Sequence, residues 1–461
     1  MKNIILIDPE CKLIETISQV TDINIEVSLV TDYHYKNIEV DISEFNDFFF
    51  YRGLEGSHDF YHNINKKKLD LTYDEIEQFR HLQLEVEHFF LRTIGDIGFI
   101  QNRYFHSLSY WLNIFKNKKI DYVISTALYH GDLEDMAFSI AKSFGIDVVI
   151  IESFSHMNNY RFYGVFNWNK KQYIPLSNCI KNNSKVDKKD IQFTSKEILY
   201  TEKKPNKALS KGGYTFYLLI RKILRKENSI YLGASIPFLT SFSSYLFAKK
   251  LIKFYNKKSV MKKCNEKYMY FSLHFDPEAQ TQSRACISSQ LTLIKMLSDA
   301  VPDDIYIYVK EHPIYSMLNG LKFSYHLAGI TNFRSIEYYN EISKMRNVRL
   351  IDSNTDSEEL TKDALAVCSI TGTIILENIA KYKKPILMFD SNLSPIGMVN
   401  DIFKIKSTID IVNSIKEITN GFQPTYNDFE QVIQSFTFKT EAEAKEYFNE
   451  DVLKCILEQL D

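Results

Sequence analysis

Residues 368–377 have the sequence CSITGTIILE, in which three hydroxyl side chains and a glycine precede a helical pattern. The apolar run 364–367 before them is typical of a buried strand. The first N–H groups of a helix have no intrahelical partners, and together with the helix dipole they attract an anion. Gly372 lets a phosphate approach the backbone closely. The pattern predicts an α/β fold in which this turn holds a phosphate.

The side chains of this turn are candidates for binding a nucleotide. We expect Ser369, Thr371 and Thr373 to contact phosphate oxygens. Glu377 lies one helical turn further on, where a carboxylate can accept hydrogen bonds from a ribose diol. The alternative is an ordinary helix start, in which a Ser or Thr caps the helix and the glutamate completes a capping box. For an isolated motif the alternative is the more common case.

A second polar cluster, residues 310–313 with the sequence KEHP, ends the β-branched and aromatic run 305–309. Strand side chains repeat every two residues, so Lys310 and His312 are predicted to point to the same side. Both can donate to phosphate oxygens, and His312 can stabilise the charge on a departing phosphate. The alternative is a charged strand end that a turn proline, Pro313, brings to a stop.

A third cluster, residues 272–279 with the sequence SLHFDPEA, follows the apolar run 268–271. His274 and Glu278 are candidates to line the substrate, and Asp276 is a candidate catalytic carboxylate. All three clusters follow apolar strands. In an open parallel sheet, ligands bind at the carboxyl ends of the strands. Three polar clusters at one such edge favour a binding site over coincidence.

These motifs, in this order and followed by KPI at residues 384–386, resemble those of bacterial capsule and surface-polysaccharide glycosyltransferases. The resemblance is strongest over residues 268–390. It implies the GT-B architecture, in which two Rossmann-like domains face a cleft. It also implies a nucleotide sugar as donor, with no metal ion and no other cofactor. Similar His-Pro and Ser/Thr motifs occur in bacterial sialyl- and Kdo-transferases, but the Asp-Asp-Gly type motif of some sialyltransferases is absent, so the donor sugar stays open.

The same family often carries an early His-x-x-x-Asp motif, which the chain matches less closely at residues 130–134, HGDLE. Glu134 stands where the family has Asp, and the resemblance implies that it is the general base for the acceptor hydroxyl. His130, Asp132 and Asp135 accompany it after the predicted strand 121–125. The alternative is that these acids only cap the following helix.

Two further residues compete for roles at the predicted cleft. Asp276 is a rival base or, in a retaining mechanism, a charge-stabilising or covalent group. His156, after the predicted strand 148–151, is a candidate to line the acceptor site, although a structural role is more common for such a residue. Residue types alone do not decide between inversion and retention.

A chain of 461 residues exceeds what one hydrophobic core usually supports. The predicted organisation has four parts. An acceptor-binding Rossmann-like domain spans 1–200, and a basic and apolar helical insert or linker spans 201–262. A nucleotide-sugar-binding Rossmann-like domain then spans 263–425, and a helical tail spans 426–461. The β-α-β alternation in both large parts predicts parallel sheets with right-handed crossovers.

Basic residues flank apolar and aromatic ones over residues 203–258. This pattern suits an anionic membrane surface, which would bring the enzyme to an acceptor on a lipid carrier at the inner leaflet. A helical pair with a solvated basic face explains it equally well. The net charge is −2, so no overall field draws the protein to nucleic acid.

The six cysteines show no CxxC spacing, which argues against structural zinc and a disulfide scaffold and fits a reducing cytoplasm. The start of the chain lacks the apolar segment of a signal peptide, and no stretch has the length of an apolar transmembrane helix. We therefore expect a cytoplasmic enzyme, with peripheral contact to the inner membrane as an open possibility.

The prediction from the sequence is a glycosyltransferase that moves a sugar from a nucleotide-activated donor to a growing capsule or lipopolysaccharide glycan. One alternative is a nucleotide-sugar epimerase of the same fold, which needs no acceptor. Another is a non-catalytic partner in polysaccharide assembly or export. A dehydrogenase is disfavoured, since no Gly-x-Gly-x-x-Gly follows the first predicted strand.

Overall fold

In the computed structural model the described residues are 2–7, 17, 23–31, 47–51, 67–91, 96–125, 132–157, 160–175, 229–231, 234–236, 238–276, 281, 285–312, 330–389, 394–441, 453 and 456–458. They form two compact α/β units. The first unit contains the described residues of 1–186, 228–237 and 434–461. The second contains those between 238 and 433.

The first unit is built on a mainly parallel sheet. Its strands, numbered along the chain, are β1 (Lys2–Ile7), β2 (Ile23–Thr31), β3 (Asp47–Tyr51), β4 (Tyr122–Ser125), β5 (Asp147–Met157), β6 (Tyr160–Asn167), β7 (Gln172–Tyr173) and, far along the chain, β16 (Thr437–Glu441). They lie in the order β16-β6-β5-β4-β1-β2-β3, with β7 beside β6. The five neighbouring strands β3, β2, β1, β4 and β5 pair parallel to one another. The strands β6, β7 and β16 pair antiparallel. A separate hairpin joins β8 (Ser229–Tyr231) and β9 (Ala234–Ile236).

Four described helices belong to the first unit: α1 (Tyr73–Gln78), α2 (Arg80–Phe90), α3 (Ile97–Asn117) and α4 (Asp132–Ser143). Thr72 begins α1 with a capping box that Glu75 completes, and Asp96 caps α3. The side chains of Ile4 to Ile7 in β1 are fully or almost fully buried. Such a continuous apolar run is typical of a central strand of a parallel sheet.

The second unit has an entirely parallel six-stranded sheet among the described residues. Its strands are β10 (Lys267–Ser272), β11 (Ile305–Lys310), β12 (Val348–Ile351), β13 (Ala366–Ser369), β14 (Ile386–Met388) and β15 (Ile402–Lys404). They lie in the order β12-β11-β10-β13-β14-β15. Counted within the unit this is 3-2-1-4-5-6, the order of the doubly wound Rossmann fold. The order reverses between β10 and β13, and this is the topological switch point.

The second unit also contains α5 (Phe238–Lys258), α6 (Gln290–Ala300), α7 (Ile330–Phe333), α8 (Ile336–Lys344), α9 (Ser357–Asp363), α10 (Thr373–Glu377) and α11 (Thr408–Thr419). The helix α12 (Phe429–Phe436) begins in this unit, and its residues 434–436 belong to the first. A π-helical turn, Asn378–Tyr382, continues α10. Leu293 and Leu297 of α6 and Ile411 of α11 are fully buried in the core against the sheet.

The prediction of two Rossmann-like domains is confirmed by these two units. The helix α5 lies inside the predicted insert, yet its residues Leu251 and Tyr255 belong to the core of the second unit. The Tyr255 hydroxyl also donates to the carbonyl of Ile351 at 2.6 Å. The predicted helical tail contains the helix α12 but also the strand β16, which pairs antiparallel with β6 at the edge of the first unit's sheet.

Residues 201–228, 232–233 and 237 of the predicted basic insert lie outside the described residues. Within the described part of the chain, no helix combines the length and the apolar character that crossing a membrane requires.

Candidate functional site

The described ends of the three predicted motifs lie at one edge of the second unit's sheet. The segment 273–276 follows β10, residues 311–312 follow β11, and the turn 370–372 follows β13. Strands β10 and β13 are direct neighbours, so the first and third segments flank the switch point. Loops that leave such a point in opposite directions open a crevice in which doubly wound proteins bind ligands.

The turn 369–372 differs from an ordinary capped helix start. Gly372 occupies the N-cap position of α10 with φ of 111°, and no side chain caps the helix. The Ser369 hydroxyl instead donates to the carbonyl of Thr371 at 2.7 Å. Thr373 is the first helical residue, so Glu377 is not placed to complete a capping box. The capping-box alternative is therefore wrong for this turn.

Glycine is required at position 372 for two reasons. A φ of 111° is strained for any residue with a Cβ. A Cβ at this position would also lie only 3.3 Å from Cε1 of His274. The imidazole of His274 therefore packs directly against the start of α10.

His274 links the two loops at the switch point. Its Nε2 atom lies 3.1 Å from the Ser369 hydroxyl and accepts the backbone N–H of Thr371 at 3.3 Å. The side chain of Gln290, on α6, accepts from the backbone N–H of His274 at 2.8 Å and donates to its carbonyl at 3.1 Å. Burial lowers the pKa of His274 to about 4, so the ring is neutral near pH 7.

Arg334, between α7 and α8, lies at this edge of the sheet and was not among the residues predicted from the sequence. Its side chain is fully buried, and its guanidinium donates to Glu311 at 3.0 Å, to the carboxylate of Asp276 and to the carbonyl of His274 at 3.0 Å. The guanidinium also stacks 4.6 Å from the centre of the Tyr338 ring. No motif surrounds residue 334, and its carboxylate partners are distant in sequence, so local patterns gave no signal.

The predicted catalytic candidate Asp276 is buried within this ion pair and also accepts a hydrogen bond from Gln290. Glu311 is held by Arg334 and by the hydroxyl of Tyr339 at 2.6 Å. Buried carboxylates are stable only when such partners surround them. Asp276 and Glu311 therefore anchor the loops that carry the two histidines.

Lys310 ends β11 at the same edge. Its ammonium group donates to the Ser357 hydroxyl, at the start of α9, at 2.8 Å. The hydroxyl of Tyr270 lies 3.3 Å from the same Ser357 oxygen. Burial lowers the pKa of Lys310, and the nearby charges of Asp356 and Asp352 act in the opposite direction. A partly desolvated cation of this kind is a strong partner for a phosphate.

His312 and Glu377 complete the described part of the site. Burial lowers the pKa of His312 to about 4, and the charges of His274, Arg334 and Lys310 act in the same direction. The ring of His312 lies 6.2 Å from that of Phe275. Burial raises the pKa of Glu377, although the charge of Lys381 opposes this shift.

The first unit's candidates are described only by backbone position. Asp132, Glu134 and Asp135 lie in the first turn of α4, directly after the segment that follows β4. His156 lies in β5. His130 and, in the second unit, Glu278 lie outside the described residues.

Metal binding was also predicted to be absent. Over the described ranges, no group of three or more His, Cys, Asp or Glu side chains is placed to hold a metal ion. Independence of a metal ion stays a prediction, because several candidate side chains fall outside those ranges.

No protein-family model matches the chain, and no curated protein matches it. Solved structures do align with it, among them UDP-GlcNAc 2-epimerase from Neisseria meningitidis bound to UDP-GlcNAc. That structure is 13% identical over 100% of this chain and 99% of its own, with a TM-score of 0.25. A second is KpsC of Thermosulfurimonas dismutans, a beta Kdo 2,7 transferase. It is 11% identical over 66% of this chain and 78% of its own, with a TM-score of 0.27.

A third is an alpha,alpha-trehalose-phosphate synthase (UDP-forming) from Burkholderia vietnamiensis. It is 8% identical over 94% of this chain and 95% of its own, with a TM-score of 0.27. TM-scores this low leave the fold to be defined by the chain's own strand order. That order makes the second unit a Rossmann-like domain whose candidate site lies at the switch point.

Proposed function

We propose that the protein is a glycosyltransferase that moves a sugar from a nucleotide-activated donor to an acceptor hydroxyl of a growing bacterial surface glycan. The observation that carries this proposal is the meeting of His274 with the uncapped start of α10 at the switch point of a Rossmann-ordered sheet. Rossmann-like sheets bind nucleotides in this position, with the phosphates at a helix N-terminus.

The donor nucleotide would lie across the carboxyl edge of the second unit's sheet. Its phosphates would contact the turn formed by Ser369, Thr371, Gly372 and Thr373. Lys310 would neutralise phosphate charge, and its position one strand away from His274 supports this role. Glu377 would accept hydrogen bonds from the ribose hydroxyls, one turn into the helix.

The chemical step would be a direct displacement at the anomeric carbon. The acceptor oxygen forms a bond to that carbon while the bond to the donor phosphate oxygen breaks, and the departing phosphate takes the electron pair. A carboxylate removes the proton of the acceptor hydroxyl. Glu134 is our candidate for this base, with His130, Asp132 and Asp135 beside it in sequence and His156 lining the acceptor site.

His312 would stabilise the departing phosphate. A neutral imidazole near pH 7 can donate a hydrogen bond to the leaving group without a desolvated charge of its own. His312→Ala should then lower turnover more than it lowers donor affinity. A pure loss of affinity would remove His312 from the leaving-group role.

The acceptor would be lipid-linked or a free oligosaccharide. A lipid carrier implies a protein located in the cytoplasm, with contact to the inner membrane surface through the basic stretch 203–258. Co-sedimentation with vesicles of phosphatidylglycerol and phosphatidylethanolamine, against vesicles of phosphatidylcholine alone, tests that contact.

The first test is a thermal-shift panel of the purified chain with CMP, UDP, GDP and dTDP. A ligand that binds only the folded state raises the melting temperature by mass action. A selective shift with CMP indicates a sialic- or Kdo-type donor, and one with UDP, GDP or dTDP indicates a hexose-type donor. No shift with any of the four would overturn the proposal and favour a non-catalytic assembly partner.

The second test separates transfer from epimerisation. The nucleotide sugar that matches the preferred nucleotide is incubated without an acceptor, and the sugar's configuration is followed by NMR. An epimerase interconverts the free nucleotide sugar, whereas the proposed transferase leaves it unchanged until an acceptor glycan is added. Glu377→Ala should abolish the thermal shift, and Glu341→Ala, an exposed change on α8 of the same unit, serves as its control.

A further inference from the structure

The hydrogen bonds of His274 define which ring nitrogen carries its proton. The backbone N–H of Thr371 donates to Nε2, so Nε2 must be the unprotonated nitrogen. The neighbouring Ser369 hydroxyl donates to the Thr371 carbonyl and so does not require a proton from the ring. A neutral imidazole with an accepting Nε2 carries its hydrogen on Nδ1.

The other ring nitrogen of His274, Nδ1, carries the hydrogen that these contacts leave over. Within the described part of the chain it has no hydrogen-bond acceptor, and Nδ1 is not one of the enclosed polar atoms there. Its neighbour in the ring, Cε1, is the atom that packs against Gly372. The donor therefore lies beside the start of α10, at the switch point.

The main chain of His274 is held as firmly as its ring. Gln290 bonds both its N–H and its carbonyl, and the Nη2 atom of Arg334 donates to the same carbonyl. Arg334 in turn is fixed by Asp276 and Glu311. Such a network holds one rotamer and one tautomer in place before a ligand arrives.

We propose that His274 binds the anionic phosphate of the donor through its Nδ1–H group, as a neutral hydrogen-bond donor, and that Arg334 and Gln290 are its positioning residues. This inference rests on the proposed function, because it assigns a contact within the nucleotide site. The uncharged imidazole of His274 would supply one more hydrogen-bond donor to the phosphate, beside the start of α10.

The surroundings keep this donor neutral. The charged and titratable groups that face His274 are Asp276, Arg334 and His312. Burial outweighs the carboxylate of Asp276 and lowers the pKa of His274 to about 4. A donor with this pKa keeps the same protonation state throughout the physiological range of pH.

The tautomer can be measured without any ligand. Nitrogen-15 NMR of the uniformly labelled chain separates Nδ1–H from Nε2–H imidazoles, and His274→Gln identifies the signal that belongs to His274. We expect the Nδ1–H pattern at pH 7. An Nε2–H or a doubly protonated ring would overturn the inference, whatever the protein binds.

Two substitutions test the contact with phosphate. The amide nitrogen of an Asn can take the place of Nδ1, whereas a Gln reaches the place of Nε2. His274→Gln should therefore keep an acceptor for Thr371 but lose the donor to phosphate. His274→Asn should keep the donor.

The readout is calorimetric affinity for the nucleotide of the four that binds best, for its nucleoside and for inorganic pyrophosphate. We expect His274→Gln to weaken nucleotide and pyrophosphate binding about 10- to 100-fold, as for a lost hydrogen bond to a charged group, and to leave nucleoside binding unchanged. His274→Asn should stay within about threefold of wild type for all three ligands.

The positioning role of Arg334 has its own test. Arg334→Lys keeps the charge but cannot reach all three acceptors, so the fraction of the Nδ1–H tautomer and the pyrophosphate affinity should both fall. Arg349→Lys is the matched control, because Arg349 pairs with Glu266 and stacks on Tyr306 elsewhere in the same unit. Equal effects of the two changes would reduce Arg334 to a purely structural residue.

The outcomes separate this inference from the proposed function. If the wild-type chain binds no nucleotide and no pyrophosphate, both the role of His274 and the proposed function are wrong. If the wild-type chain binds them and His274→Gln binds them equally well, only the role of His274 is wrong and the nucleotide site stands.

Discussion

In the first unit the strands run β3-β2-β1-β4-β5, and in the second they run β12-β11-β10-β13-β14, so both units reverse their strand order beside their first strand. In each unit a helix follows the fourth strand at this point. In the second unit that helix is α10, which begins with Gly372 and Thr373 and has no acid in its first turn. In the first unit it is α4, whose first turn contains Asp132, Glu134 and Asp135.

The proposed function assigns a different ligand to each unit on the basis of this difference. A helix N-terminus without acids attracts phosphate, whereas acids in the first turn interact with the helix dipole themselves and repel an anion. Under the proposed function, the second unit would hold the donor, and the acids of the first unit would take the proton of the acceptor.

The largest effect that this comparison predicts concerns catalysis. Glu134→Ala should lower turnover about 100- to 10,000-fold, the range for loss of a general base, and leave the affinity for the nucleotide unchanged. The measurement is the rate of sugar transfer together with calorimetric nucleotide affinity. Glu85→Ala, at an exposed position of α2 in the same unit, is the control. Weaker nucleotide binding by Glu134→Ala would mean that the two units do not divide the work in this way.

The next effect concerns stability. Arg334→Met leaves Asp276 and Glu311 buried without their counter-charge, which should lower the free energy of unfolding by about 3–5 kcal/mol. Urea denaturation followed by circular dichroism measures it. Arg349→Met removes a guanidinium with a partly exposed partner and should have a smaller effect. Similar losses for both variants would contradict the special position of Arg334.

Each unit has a glycine with positive φ whose replacement by alanine allows a direct comparison, Gly372 in the second unit and Gly145 in the first. Gly372→Ala should lower the free energy of unfolding by about 1–3 kcal/mol and also weaken nucleotide binding, because its Cβ presses on His274. Gly145→Ala, after α4 in the first unit, also places a Cβ at positive φ, but at the milder value of 72° and with open space around the new Cβ. It should cost stability without changing affinity. If both variants bind the nucleotide as wild type does, the turn at Gly372 does not contact it.

The last expected effect is a dependence of stability on pH. The pKa of His312 falls from 6.5 to about 4 on folding. Between these two pH values the imidazole is therefore protonated in the unfolded chain and neutral in the folded chain. Stability should therefore fall as the pH is lowered from about 6.5 to about 4 and level off below that.

The measurement for His312 is a difference between variants. His312→Gln removes this one contribution, so its stability relative to wild type should rise by up to about 3 kcal/mol over that interval, since each pKa unit corresponds to about 1.4 kcal/mol. His81→Gln, at an exposed position of α2 in the first unit, controls for the loss of an imidazole. Parallel stability curves for His312→Gln and wild type would contradict the burial of His312.

Much of the fold followed from local patterns in the sequence. The apolar run 305–309 and the run 364–367 correspond to β11 and β13, because a strand buried in a parallel sheet needs apolar residues without interruption. The polar residues that follow these runs mark the carboxyl edge of the sheet for the same reason. The glycine at position 372 was recognisable too, since a strand that turns sharply into a helix favours one.

Other parts of the site could not be read in this way. Arg334 lies 58 residues from Asp276 and 23 from Glu311, and nothing in the local sequence announces that one guanidinium joins them. Gln290 is an unremarkable polar residue at the start of a helix, yet it holds the backbone of His274. The position of α5 in a core and the pairing of β16 with β6 are likewise long-range facts.

Hydrophobic period and turn chemistry are local properties, so the two alternating α/β regions and the residue types at their strand ends could be predicted from the sequence. The strand order, the switch point between β10 and β13, and the hydrogen bond from Thr371 to His274 became known only from the folded chain. Each of these depends on which distant segments come into contact. Contacts of that kind arise from the packing of the whole unit and do not produce a periodic pattern of residues in the sequence.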